Sequence, residues 1–202
     1  MVKLVLASRN KNKIKEIKAI YRDIVGEELD ILSLDDIGYT DEIEEDGSSF
    51  EENATIKASV PAKLGYIGLA DDSGLAVNML DDAPGIYSAR YSGEGATDEK
   101  NNEKLLSELS GASDRSAKFV CVFAVVAPDG KNITVRGECP GIIAESESGK
   151  GGFGYDPLFI YEPLSKTFGE LTADEKNKVS HRARALKLLI PKLSEFLNGY
   201  KD

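Results

Sequence analysis

Residues 2–7, VKLVLA, form an apolar run broken by one lysine, the pattern of a buried strand. The polar junction SRNKNK follows, and then Ile14, Ile17, Ile20 and Tyr21 recur at helical spacing. The opening is therefore strand, loop, helix. ELDILSL, residues 28–34, predicts a second strand, and an acidic loop then leads into a helix from about Phe50 to Leu64. Pro61 falls inside that helix, where a missing N–H and a clash with the preceding turn cost about 3 kcal/mol, so a kink or an early end is expected. In LADDSGLAVNML, the apolar arms at 66–70 and 75–79 read as short strands meeting at a tight polar DDSG turn.

DDAPGIYSARYSGEGAT is too rich in Gly, Pro and Ser for a regular element. Thr97 suits the cap of a helix through Leu109, with Leu105, Leu106 and Leu109 inward. In KFVCVFAVVAPDGKNITVRGEC the PDG turn joins two strand-like runs into a hairpin. CPGIIAES gives a further strand ahead of the glycine-dense GKGGFGYDPLFIY. The last helix starts near Ser180 and sets Leu186, Leu189, Ile190, Leu193 and Leu197 three and four apart, with Pro191 as a candidate kink. There is no internal repeat, heptad or low-complexity linker. Because the middle is hairpin-like, a mixed α/β architecture with a bent, elongated sheet fits better than a regularly alternating Rossmann unit.

At 202 residues the chain fits one domain or a compact two-lobed unit, and folding can bury roughly 70% of the extended surface. Cys121 and Cys139 have neither disulfide-framework nor zinc spacing, so both are expected to be reduced and structural. VKLVLA reads as a strand rather than a leader, and no stretch approaches the ~20 apolar residues of a membrane span. A cytoplasmic location is the expectation.

The formal charge of −10 argues against tight non-specific duplex binding, which needs several cations on one surface. Its distribution is more informative. Arg9, Lys11, Lys13, Lys15 and Lys18 crowd one segment, and Lys176, Lys178, Arg182, Arg184 and Lys187 another. Asp41, Glu42, Glu44, Glu45, Asp46, Glu51 and Glu52 form an acidic loop without a base. Such runs are usually solvated faces. An acidic protein with two basic segments can also hold a small polyanion, and its carboxylates the accompanying metal.

SRNKNK sits where helix N–H groups and basic side chains can receive phosphate oxygens, although it is neither a Walker A loop nor GxGxxG. If strand alternation points Asp71 and Asp72 apart, one satisfies the turn and Asp72 faces a ligand; a divalent ion would make that placement intelligible, with Glu45 or a neighbour as second carboxylate. Alternatively both acids belong to an exposed polar turn. In GGFGYDP, Phe153 is either an anchored core residue or a flat platform for an aromatic base. His181, the sole histidine, lies in a first helical turn beside Arg182; with no nearby serine or cysteine elbow, binding suits it better than a hydrolase triad.

SRNKNK, EEDGSSFEENA, ADDSGL, PGIYSARYSG, GGFGYDP and SHRARAL, in this order along the whole chain, resemble the motifs of the Ham1/RdgB inosine triphosphate pyrophosphatase family. The resemblance implies that Asp72 is the catalytic proton acceptor and a Mg²⁺ ligand, with Glu45 as the matching metal carboxylate. It implies substrate contacts from Ser8, Arg9, Asn10, Lys11, Asn12 and Lys13, and from Ser73. Phe153, Gly154, Tyr155 and Asp156 would form the nucleobase segment, and Lys176, His181 and Arg182 would be further substrate ligands. Arg9 occupies a variable position of the family motif, and Pro61 interrupts the helix after Lys57.

The expected fold is α/β, an elongated bent mixed sheet with helices forming two lobes around a central nucleotide cleft, as a single two-lobed domain over residues 1–202 and commonly a homodimer. The expected activity is Mg²⁺-dependent hydrolysis of the non-canonical purine nucleoside triphosphates ITP, dITP and XTP to the monophosphate and pyrophosphate, cleansing the nucleotide pool. No stable nucleic-acid partner and no membrane association are expected. A Maf-like pyrophosphatase for pyrimidine or modified nucleotides is the nearest enzyme alternative, and a nucleotide-sensing module with little turnover the nearest alternative of another class.

Overall fold

The computed structural model describes residues 3–200. In chain order the elements are β1 (Leu4–Leu6), α1 (Lys11–Val25), β2 (Leu32–Ser33), α2 (Phe50–Lys63), β3 (Ile67–Val77), α3 (Asp98–Glu108), β4 (Ser116–Val126), β5 (Asn132–Ile143), β6 (Phe159–Tyr161), β7 (Lys166–Thr167), α4 (Ala173–Val179) and α5 (His181–Asn198). The strands build one open, mixed seven-stranded sheet in the order β2-β1-β3-β4-β5-β6-β7. β1 runs parallel to both neighbours, whereas β6 is antiparallel to β5 and β7. The expected mixed α/β class is the observed one.

The strand-loop-helix opening forms as the pattern predicts. Asn10 caps α1 by accepting the N–H groups of Asn12 and Lys13, and Ile17 and Ile20 are its buried face. Thr97 caps α3 through the Lys100 N–H. The PDG hairpin closes β4 to β5, with Gly130 N–H donating to Ala127 and Ala127 N–H to Lys131. The strand expected from Cys139 onward continues β5 instead of starting a new one.

β3 departs from expectation. DDSG is not a turn between two strands but the middle of one eleven-residue strand, buried at every position except Ser73. Its place inside the sheet explains the uninterrupted apolar arms. It also means that Asp71 and Asp72 lie in the interior and need partners there. The second predicted strand shrinks to Leu32–Ser33, because Asp36 accepts both the N–H and the hydroxyl of Ser33 and starts a 3-10 turn. α2 runs past Pro61 and stops at Lys63, two residues later.

The chain divides into two units. The first comprises residues 1–72, 121–137 and 182–202; the second comprises 73–120 and 138–181. Each has its own apolar core. In the first, Leu4, Leu6, Ile17, Ile20, Ile67, Leu69, Phe123, Leu186 and Leu189 pack together. The second is built on Leu75, Leu105, Leu109, Phe119, Leu158, Phe159 and Phe168, with Phe119 and Phe168 stacked. Cys121 lies in the first core and Cys139 in the second, both as buried free thiols, as the spacing implied.

Candidate functional site

In the first unit, the buried acids of β3 gather cations from three helices. Asp71 is 2% exposed, and its Oδ2 lies 3.3 Å from Lys13 Nζ on α1 and 3.4 Å from Arg182 on α5. Arg182 is itself buried and also pairs with Glu16 of α1. Burial works against the Asp71 charge, but Lys13 and Arg182 outweigh it and hold the carboxyl down at about 2. Asp71 is thus a fixed anion that fastens two basic side chains, not a turn residue.

Asp72 has a different environment. Its Oδ1 accepts from Lys57 Nζ at 3.3 Å, and the same ammonium donates to Glu45 Oε2 at 2.8 Å. Its Oδ2 is buried without a hydrogen-bond partner. Burial raises the Asp72 pKa, the positive charges of Lys57 and Lys13 pull it back, and Glu45 and Asp71 push it up again, leaving it above the ordinary value. Burial opposes the charge of Lys57, yet Asp72, Asp71 and Glu45 together keep its pKa above the usual lysine range. Adjacent aspartates therefore diverge: one is held ionised, the other is a more basic carboxylate with an open oxygen.

Lys57 was not singled out in the sequence. The signal was present, since it falls on the helical face that buries Phe50, Ala54, Ala58 and Pro61. The structure also shows why it reaches the acids. A Cβ at Gly68 would lie 1.9 Å from the Ala58 carbonyl oxygen, so glycine is what allows β3 to press against α2 beside Lys57.

The other residues of SRNKNK do not join this group by side chain. Ser8 accepts the Asn10 N–H, and Asn10 is the α1 cap. Arg9 turns to the carbonyls of Tyr39 and Asp41, while Lys11 and Asn12 are exposed in the first turn. Ser73 is the half-buried position of β3, directly after Asp72.

The second unit holds the aromatic segment. Lys176 is buried on α4, 2.5 Å from Asp156 Oδ2, with its ammonium 4.9 Å from the centre of the Phe153 ring and 5.7 Å from that of Phe168. Asp156 Oδ2 also accepts the Phe153 N–H at 2.9 Å. At Gly152, where φ is +72°, a Cβ would lie 1.9 Å from that same oxygen, so the close fold requires glycine. Tyr155 is buried, and its phenol donates to the Ser88 carbonyl at 2.8 Å. His181 is buried and stacked on Phe119, with ring centres 4.6 Å apart. Phe153 is half-buried, neither a full core anchor nor an exposed ring. α4 was missed in the sequence, although Thr172 and Glu175 form the capping box that TADE encodes.

Among the described residues, no three His, Cys, Asp or Glu side chains gather closely enough to cage a metal alone. Mg²⁺ commonly takes one or two carboxylates and completes its shell with water and substrate phosphates. Glu45 and Asp72, joined through one lysine and with Asp72 Oδ2 open, fit that requirement.

An open mixed α/β sheet with a half-buried cation at the start of α1, a buried one at the start of α5, and adjacent carboxylates on β3, defines a class of α/β protein suited to a small phosphorylated ligand. More particularly, the chain belongs to the Ham1 family, whose model matches residues 4–192. It is 53% identical over 192 residues to a dITP/XTP pyrophosphatase of Geobacter sulfurreducens, covering 94% of this chain and 95% of that one. It is 48% identical to the dITP/XTP pyrophosphatase of Bacillus subtilis over 202 residues, 98% of each chain. The solved Staphylococcus aureus Ham1 protein superposes with a TM-score of 0.85 at 42% identity, over 98% of this chain and 100% of that one.

Proposed function

We infer that this chain is a hydrolase of non-canonical purine nucleoside triphosphates, with ITP, dITP and XTP as substrates and the monophosphate and pyrophosphate as products. Relatives named dITP/XTP pyrophosphatase at about half identity over nearly the whole chain support this activity. The observation that carries the mechanism is the chain from half-buried Glu45 through buried Lys57 to buried Asp72, with one Asp72 oxygen engaged and the other open. Glu45 and Asp72 would hold Mg²⁺, which when bound neutralises polyphosphate charge and acidifies a coordinated water. Asp72 accepts the proton of the water that attacks the α-phosphorus, and the bond from that phosphorus to the bridging oxygen of pyrophosphate breaks. Lys13 and Arg182, fastened by Asp71, stabilise negative charge on the phosphates.

In the second unit, Phe153 to Asp156 would read the nucleobase, with Lys176 bracing that segment through Asp156 and Phe153, and Lys176 and His181 as further substrate ligands. Oxygen at purine position 6 reverses the donor and acceptor order that adenine presents, which gives such a segment a basis for choice. The reading includes a homodimer and a cytoplasmic protein. No helix among the described residues is long and apolar enough to cross a membrane.

The decisive assay supplies ITP, XTP, GTP, ATP and a pyrimidine triphosphate, each with and without Mg²⁺, and identifies both products. Monophosphate and pyrophosphate from ITP and XTP, dependent on Mg²⁺, is the expected result. Release of orthophosphate alone would overturn the cleavage position, equal efficiency with ATP the selectivity, and a preference for the pyrimidine would return the Maf-like alternative.

A further inference from the structure

The loop that carries Phe153 is held from outside as well as by Asp156. Asp98 and Asn102 stand one helical turn apart on α3 and therefore share a face. Asp98 Oδ2 accepts the Gly154 N–H at 2.7 Å, and Asn102 Nδ2 donates to the Gly154 carbonyl at 3.3 Å and to Glu147 Oε1 at 2.8 Å. The Gly154 N–H belongs to the peptide plane that follows Phe153. The Phe153 N–H, fixed by Asp156, belongs to the plane that precedes it. Both planes flanking Phe153 are thereby held, and with them the direction of its Cα–Cβ bond. The neighbouring Asn101 fastens a second loop, accepting the Ser92 N–H and donating to the carbonyls of Ser88 and Ala89. Ser88 in turn accepts the phenol of Tyr155. One edge of α3 thus braces both PGIYSARYSG and GGFGYDP.

We propose that Asp98 and Asn102 are positioning residues for base recognition, acting through the Gly154 peptide groups to aim the Phe153 ring. The proposal rests on the reading of Phe153 to Asp156 as the nucleobase segment. Asp98 is its sharper probe, because it is exposed, lies in the first turn of α3 and makes a charge-assisted bond to the loop. Removing its acceptor frees the plane between Phe153 and Gly154 while the core around Leu105 and Leu109 stays intact.

The test compares Asp98→Ala, Asp98→Asn, Glu99→Ala and Phe153→Ala in steady-state hydrolysis of ITP and GTP, with far-UV circular dichroism confirming the fold. Asp98→Ala is expected to raise KM for ITP about tenfold and to narrow the preference for ITP over GTP, with kcat within about twofold of the parent. Asp98→Asn keeps an acceptor oxygen and is expected to restore most of the affinity and preference. Glu99→Ala removes a charge from the same helical turn without touching Gly154 and should leave both constants unchanged. If Phe153→Ala shifts KM and preference but Asp98→Ala does not, the positioning role is overturned while the base segment stands. If Phe153→Ala changes neither, the base-segment reading fails and this inference fails with it. Equal losses in Asp98→Ala, Asp98→Asn and Glu99→Ala would mean that helix charge, not the bond to Gly154, is responsible, and would also overturn it.

Discussion

At the scale of residues, the environments of Asp71 and Asp72 separate structure from chemistry. Asp72→Asn keeps the shape of the side chain and one acceptor for Lys57 but removes the carboxylate. Turnover of ITP should fall by about 10²-fold to 10⁴-fold, measured as pyrophosphate release, with the urea midpoint little changed. Asp71→Asn should behave in the opposite sense, losing stability because Lys13 and Arg182 lose their shared counter-charge. Its pH dependence follows from the sign of the shift. The folded carboxyl titrates at about 2, below the unfolded value of about 4. Its contribution, about 2 kcal/mol, is therefore fully present above pH ~4 and disappears as pH falls through about 2. Urea titrations of parent and variant should differ most at neutral pH and converge as the acid limit is approached.

At the scale of elements, regular patterns were legible and non-local pairings were not. The helical spacing of Ile17 and Ile20, the Thr97 cap and the PDG turn each act within a few residues, and all appear as read. DDSG misled because a buried strand accepts two acids only when partners come from elsewhere. Those partners are Lys13, Lys57 and Arg182, the last 111 positions from Asp71. Lys13, Glu45, Asp72 and Arg182 were recognisable as candidates from their motifs, whereas Lys57 became visible only when α2 was seen against β3. That contact has a test of its own. Gly68→Ala would drive a methyl group into the Ala58 carbonyl, and because the obstacle is backbone, α2 and β3 must separate. We expect a loss of about 2 kcal/mol, checked by urea unfolding, with impaired turnover because Lys57 follows α2. The corresponding Gly26→Ala, which has open space around its Cβ, is a control for glycine strain without a clash.

At the scale of the whole molecule, β3, β4 and β5 each contribute residues to both units. Neither unit is a continuous stretch of chain, and the first is assembled from three segments. Strands that serve two cores tie their stabilities together, so far-UV circular dichroism and tyrosine fluorescence should report one coincident unfolding transition in urea. The chain has eight tyrosines and no tryptophan, which makes the tyrosine signal easy to isolate. Two separated transitions would show that the cores melt independently. The buried thiols offer a second readout, since burial pushes the Cys121 thiol well above its ordinary pKa and suppresses the reactive thiolate. A chain truncated after His181 lacks Arg182 and the apolar stripe of Leu186, Leu189 and Leu193 that completes the first core. Its Cys121 should react with a thiol reagent that reaches the full-length protein only on unfolding.

The placement of Arg182 also gives the protein an order of assembly during translation. Asp71 leaves the ribosome after its partner Lys13 but more than a hundred residues before its second partner, the Arg182 guanidinium. Until α5 emerges, Asp71 has only Lys13 of its two close cationic partners, so the buried charge of β3 is half-compensated and becomes fully paired when the last helix docks. The last helix to be made is the latch for a charge laid down near the start.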